Sequence, residues 1–235
     1  MSSNDSEERH VLLTETGHQR PEKAHREITA ALNALENLGP AVAVFGSART
    51  KPGHPYYELA RETSKALGDA GYGIITGGGP GIMEASNLGA SQAGVPSVGL
   101  HMHLPSEQEM NEHINLPLVF DYFFCRKIFY VDPAQAFVVL PGGAGTLDEL
   151  FEVMTLIKTA KIPSYPVVLA PTAYWQGLVD WLRDAALAEQ NIDRADITML
   201  KLADTAEEIV AHVQAVKRPR RRPQGGASIV KRKKS

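Results

Sequence analysis

Two glycine-rich stretches carry the strongest chemical signal in the chain. One runs Thr76-Gly77-Gly78-Gly79-Pro80-Gly81, the other Pro141-Gly142-Gly143-Ala144-Gly145-Thr146. Each follows a short apolar run and opens a helical pattern. Neighbouring glycines let successive backbone N–H groups turn toward one point and form a nest for an anion. A helix that starts there adds the positive end of its dipole. Gly78 and Gly79 in the first stretch, and Gly142, Gly143, Gly145 and Thr146 in the second, are therefore candidate phosphate contacts. The glycines do not fall as G-x-G-x-x-G, and no G-K-[ST] follows, so neither a dinucleotide fingerprint nor a P-loop is present. A structural role competes at both places. The first stretch can be a plain strand-to-helix turn, and Thr146-x-x-Glu149 has the spacing of a capping box.

Other groups can reach the same ligand. Glu149 stands one helical turn beyond Thr146 and can offer a carboxylate. Arg126 and Lys127 sit among Phe123, Phe124, Cys125, Ile128 and Phe129, where a basic pair is not a plain solvated face. Arginine suits bidentate contact with a phosphate or carboxylate. Ser47 and Arg49 follow another apolar run and can reach a phosphate. Glu84, one turn past the first glycine stretch, is a candidate for ribose or base. Glu152 is either a site acid or an ordinary helix acid. His101 and His103 lack further ligands at metal spacing and read as local loop or pocket residues, so no metal site is expected. Cys125 reads as buried packing.

These residues need elements to hold them, and the chain alternates. Strands are expected at 41–45, 72–75, 97–101, 118–120, 136–140, 166–169 and 198–202. Helical patterns cover 21–38, 56–70, 81–93, 122–131, 146–159, 175–188 and 205–216. The strands are short and apolar on both faces, the mark of a parallel sheet covered by helices on both sides. Right-handed crossovers place every strand's carboxyl end on one edge, where such sheets bind ligands. Loops 46–49, 76–81 and 141–146 are thus expected to meet in space. Residues 102–116 are polar and irregular, a candidate lid.

Composition sets the bounds. At 235 residues, 43% hydrophobic and 22% charged, the chain suits one α/β domain with tails. The reading is an N-terminal disordered tail over 1–20, a Rossmann-like nucleotide-binding domain over 21–216 and a basic disordered tail over 217–235. That last segment carries nine of the 24 Lys and Arg and no acid, which leaves 15 basic against 27 acidic residues before it. The acidic body opposes nucleic-acid binding, so a solvated tail is favoured over a nucleic-acid arm. One cysteine excludes an intrachain disulfide framework and a Cys-based metal cage. No apolar stretch approaches the roughly 18 residues needed to span a bilayer, and no signal-peptide layout opens the chain. A cytoplasmic location is expected.

Three stretches together resemble the LONELY GUY family, the cytokinin riboside 5'-monophosphate phosphoribohydrolases once labelled lysine decarboxylases. They are Gly77-Gly78-Gly79-Pro80-Gly81-Ile82-Met83-Glu84-Ala85, the pair Arg126-Lys127, and Pro141 to Glu149, which fits PGGxGTxxE. The likeness covers about residues 40–216. Phe45 to Arg49, Glu84 and the run 122–127 resemble the branch with longer termini. The resemblance implies a Rossmann-like fold, a homodimer or higher homo-oligomer, and hydrolysis of an adenosine 5'-monophosphate, N6-substituted or plain, to free base and ribose 5-phosphate. It places the catalytic arginine and glutamate on Arg126 and Glu149, and the phosphate-binding backbone on Gly78, Gly79, Gly143, Gly145 and Thr146. No cofactor is implied. Three other readings stay open at this level: a nucleotide or cofactor carrier on the same fold, a pyridoxal-phosphate lysine decarboxylase needing a Schiff-base lysine such as Lys127, and a nucleic-acid-associated protein using the basic tail.

Overall fold

A computed structural model describes residues 19–103 and 109–215. Residues 1–18 of the predicted N-terminal tail, the whole predicted basic tail and residues 104–108 of the predicted lid lie outside the described residues; Gln19 and Arg20, expected in the tail, are helical. The elements are α1 (Gln19–Ala34), β1 (Ala41–Phe45), α2 (Pro55–Asp69), β2 (Gly73–Thr76), α3 (Ile82–Gln92), β3 (Ser97–Met102) and β4 (Leu116–Phe120). They continue with α4 (Phe123–Val131), β5 (Ala134–Val139), α5 (Ala144–Lys158), β6 (Val167–Leu169), α6 (Thr172–Trp181), α7 (Arg194–Thr198), β7 (Leu200–Leu202) and α8 (Ala206–Ala215). A π-helical stretch, Leu182–Leu187, extends α6.

The seven strands form one all-parallel sheet in the order β4-β3-β2-β1-β5-β6-β7. The chain winds outward from β1 to β4, returns to the other side of β1 as β5, and winds outward again. Side chains alternate across β1: Ala41, Ala43 and Phe45 enter one core with residues of α1, α4, α5 and α6. Val42 and Val44 enter the other with residues of α2, α3 and α8. Two-sided burial is why these strands read as unbroken apolar runs.

The departures from the sequence reading have local causes. β4 starts at Leu116 rather than 118 because Pro117 is tolerated on an edge strand. The five-residue α7 has too few turns to show a period. The α5 helix opens at Ala144, with Gly143 as its N-cap and no side-chain cap. Thr146 is therefore already inside the first turn, and the capping box that competed with a site role for Thr146 and Glu149 does not form.

Candidate active site

The order reversal falls between β1 and β5, and a crevice opens there at the carboxyl edge. The two strand ends are tied together: Leu140 N–H donates to Phe45 O at 2.8 Å and Ser47 N–H to Pro141 O at 2.9 Å. The glycine loop after β2 joins them, because Ile82 N–H donates to Ser47 O at 3.0 Å. This contact leaves no room at Gly81, whose φ is +73° and where a Cβ would lie 2.4 Å from Ser47 O. Three loops distant in sequence thus share one rim.

They enclose a cleft of about 1070 Å³. Ser47, Arg49, Gly142, Gly143, Gly145, Thr146, Arg126 and Glu149 all line it. Gly143 and Gly145 are exposed, and a Cβ at either would meet nothing within 4 Å. Their bare backbone leaves the uncapped start of α5 open to the cleft, where the first amides of a helix have no intrahelical acceptor. Gly142 is different: a Cβ there would lie 2.0 Å from Thr146 Oγ1, so this glycine serves the turn itself.

Glu149 is only 7% exposed, and its Oε2 is buried without a hydrogen-bond partner. Its Oε1 lies 4.0 Å from Lys127 Nζ. Burial lifts this carboxyl from its ordinary 4.5 to about 7. The positive charges of Lys127 and Arg126 pull the other way, and the negative charges of Glu152 and Asp148 add to the rise. Arg126 sits over the rings of Phe123 and Tyr130, 5.0 and 5.4 Å from their centroids. Its Nε is buried without a partner. An acid and a guanidinium, each with a buried, unpaired polar atom, therefore face one crevice.

Four of the residues expected at the site stand elsewhere. Lys127 is turned onto α5, where its Nζ reaches Asp148 at 2.7 Å and Glu152 at 2.9 Å. Burial alone would lower this ammonium, but those two hydrogen bonds and the charge of Glu149 raise it to about 12. An amine held protonated by three carboxylates is unsuited to a Schiff base, so Lys127 does not fit the role that a pyridoxal-phosphate enzyme would need from it. Glu84 faces α2 and accepts a hydrogen bond from Tyr57; burial and this carboxylate push the phenol up to about 12. Gly78 commits its N–H to Thr76 Oγ1 at 3.0 Å. Gly79, like Gly78, stands outside the cleft lining, which Gly77 enters instead.

The cleft also holds residues the sequence reading passed over: Lys51, His54, Tyr56, Met83, Tyr130 and Tyr174. Tyr130 had a signal, lying four residues after Arg126 on one helix face. Tyr174 had none, since only the fold brings its hydroxyl to Gly142 O, at 2.9 Å. His103 pairs with Asp121 at 3.4 Å. Burial, and then the charges of Arg126 and His103, lower His101. Among the described residues no group of three His, Cys, Asp or Glu is placed to hold a metal, and no helix is long and apolar enough to cross a membrane.

The fold and its cleft define a doubly wound α/β protein of the kind that takes ligands at the switch point of the sheet. A family model described as "Possible lysine decarboxylase" matches residues 83–213. The chain is 35% identical over 148 residues to the cytokinin riboside 5'-monophosphate phosphoribohydrolase of Mycobacterium marinum, covering 62% of this chain and 78% of the relative. Its identity to the protein of the same name from Mycobacterium tuberculosis is 34% over 144 residues, covering 60% and 76%. Among solved structures, the molybdenum cofactor carrier protein of Chlamydomonas reinhardtii is similar in fold, with a TM-score of 0.54 at 24% identity, over 75% of this chain and 96% of that one. The chain belongs to the family of the cytokinin riboside 5'-monophosphate phosphoribohydrolases, which the lysine decarboxylase model describes.

Proposed function

We propose that the protein hydrolyses the N-glycosidic bond of adenosine 5'-monophosphates, plain or N6-substituted, releasing the free base and ribose 5-phosphate. The observation that carries this reading is the buried carboxyl of Glu149, with one oxygen unpaired, beside the bare amino end of α5. The activity in the names of the mycobacterial relatives agrees with it.

The chemistry follows from charge. As the bond from C1' to the base breaks, positive charge grows on the ribose ring and negative charge on the departing base. The 5'-phosphate would sit on the amides at Gly143 to Gly145, with Arg49 and Ser47 opposite. That anchoring holds C1' near Glu149, so binding energy far from the reacting bond orients it. The Glu149 carboxylate stabilises the cationic sugar and takes a proton from the attacking water. The water oxygen bonds to C1', the base leaves with the bonding electrons and takes a proton from solvent, and Glu149 returns its proton to solvent to complete the cycle. Arg126 positions the substrate against Glu149 and offers positive charge to the leaving base. No step needs a metal or redox cofactor.

We further propose a homodimer or higher homo-oligomer formed through α4, which exposes Phe123, Phe124 and Ile128. The test of function is incubation with adenosine 5'-monophosphate and with its N6-isopentenyl derivative, following free base by chromatography. Base release from either supports hydrolysis, and the faster substrate gives the preference. Tight binding without base release would instead favour a carrier.

A further inference from the structure

The glycine loop after β2 is held by a chain of buried side chains in which each hydrogen has a defined direction. Thr76, Asn87 and Ser97 are fully buried. Thr76 Oγ1 accepts the Gly78 N–H, so its own hydrogen goes to Asn87 Oδ1, at 2.7 Å. The Asn87 amide donates to Ser97 Oγ at 2.9 Å and to Val98 O at 3.3 Å. Asn111, from the segment between β3 and β4, closes the network from outside.

Asn111 bonds through its backbone N–H and through both ends of its side-chain amide. Its backbone N–H donates to Gly78 O at 2.9 Å. The two hydrogens of its side-chain amide are shared among three acceptors, Gly78 O at 3.1 Å, Gly79 O at 3.0 Å and Asn87 Oδ1 at 3.0 Å. Its Oδ1 accepts the His113 N–H at 3.2 Å. Gly78 has φ +74°, which lets the loop turn its Gly78 and Gly79 carbonyls toward this one amide. The loop is therefore read from outside through its acceptors. On its other side it abuts the cleft: a Cβ at Gly77 would lie 2.8 Å from the Tyr130 hydroxyl and 3.9 Å from Arg126 Nη1.

We infer that Asn111 is a positioning residue that fixes the Thr76–Gly81 loop against Arg126 and Tyr130, and so sets where the guanidinium stands in the cleft. Its kinetic consequence rests on the proposed hydrolysis; its structural consequence does not. A carboxylate at position 111 would face three oxygens with no hydrogen to offer. A residue that only fills space would tolerate that isosteric change, whereas a donor would not.

The experiment uses the full chain as wild type, Asn111→Ala and Asn111→Asp. With adenosine 5'-monophosphate, kcat should fall about tenfold in Asn111→Ala and at least as far in Asn111→Asp. KM should stay within about threefold, because the phosphate cradle at Gly143 to Gly145 lies on the other wall. Hydrogen exchange at residues 77–79, measured well below the melting temperature, should quicken in both variants by about tenfold or more while β1 and β5 stay protected. Wild-type turnover in Asn111→Asp, or unchanged exchange at 77–79, would overturn the inference. If the wild type itself releases no base, hydrolysis fails as the function, and the exchange measurement still decides the role of Asn111.

Discussion

The two glycine loops look alike in sequence and do opposite work in the fold. The loop after β2 is closed on itself: Gly78 gives its N–H to Thr76, Asn111 takes the carbonyls of Gly78 and Gly79, and Gly81 is wedged against Ser47. The loop after β5 is open: Gly143 and Gly145 touch nothing at their Cβ positions, and no side chain caps α5. A glycine run therefore marks an anion site only where the amides stay uncommitted. The closed loop shapes the wall of the cleft, and the open loop is free to meet a ligand.

The largest effect should come where the open loop delivers its acid. Glu149→Gln removes the carboxylate and should lower kcat by about 100-fold or more while the protein stays folded. Because only the ionised form of Glu149 serves, kcat/KM should be flat above about pH 7 and fall roughly tenfold per unit below it. A pH–rate profile with the opposite slope would assign Glu149 as an acid. Lys127→Met removes a cation that favours ionisation and should move the midpoint of this profile upward.

The same carboxyl affects stability in the reverse sense. Its value in the fold is raised from 4.5 to about 7, so its contribution is fully present below 4.5 and is lost as pH rises through about 7. At pH 8 Glu149→Gln should then be more stable than wild type by up to about 3 kcal/mol in denaturant titration.

A matched pair of alanine substitutions sharpens the contrast between the loops. Gly81→Ala should cost roughly 1–3 kcal/mol of stability, since both its φ of +73° and the contact with Ser47 O oppose a side chain. Gly143→Ala should leave the melting temperature almost unchanged, because the added methyl meets open space, yet raise KM for the nucleotide about tenfold by blocking its approach. Equal melting temperatures for the two variants would erase the distinction. The smallest effect is expected from Tyr174→Phe, which removes one hydrogen bond to Gly142 O, of order 1 kcal/mol, and should change KM by about fivefold at most.

Much of the fold was legible because burial on both faces writes itself as short apolar runs, as in 136–140, and because glycine or proline ends them. The meeting of the three loops followed from strand direction alone. What stayed hidden depended on which way a side chain turns. Arg126 and Lys127 are adjacent, so on a helix they face about 100° apart. One enters the cleft and the other meets the acids at 148, 149 and 152, a ladder that was visible in the sequence and could have claimed the lysine. Glu84 was captured by Tyr57 from a helix far away in the chain, and nothing local announces that. Thr146 and Glu149 fit a capping box in spacing, but Gly143 starts the helix early enough to carry both inward.

The most direct test is a single-turnover reaction at pH 8, with protein in excess over adenosine 5'-monophosphate and adenine followed by chromatography, for wild type and Glu149→Gln side by side. Rapid release of adenine by the wild type, with release about 100-fold slower or worse by a variant that still binds the nucleotide, is the result the account requires. Equal rates in the two proteins, or no free base from the wild type with either this nucleotide or its N6-isopentenyl derivative, would contradict it.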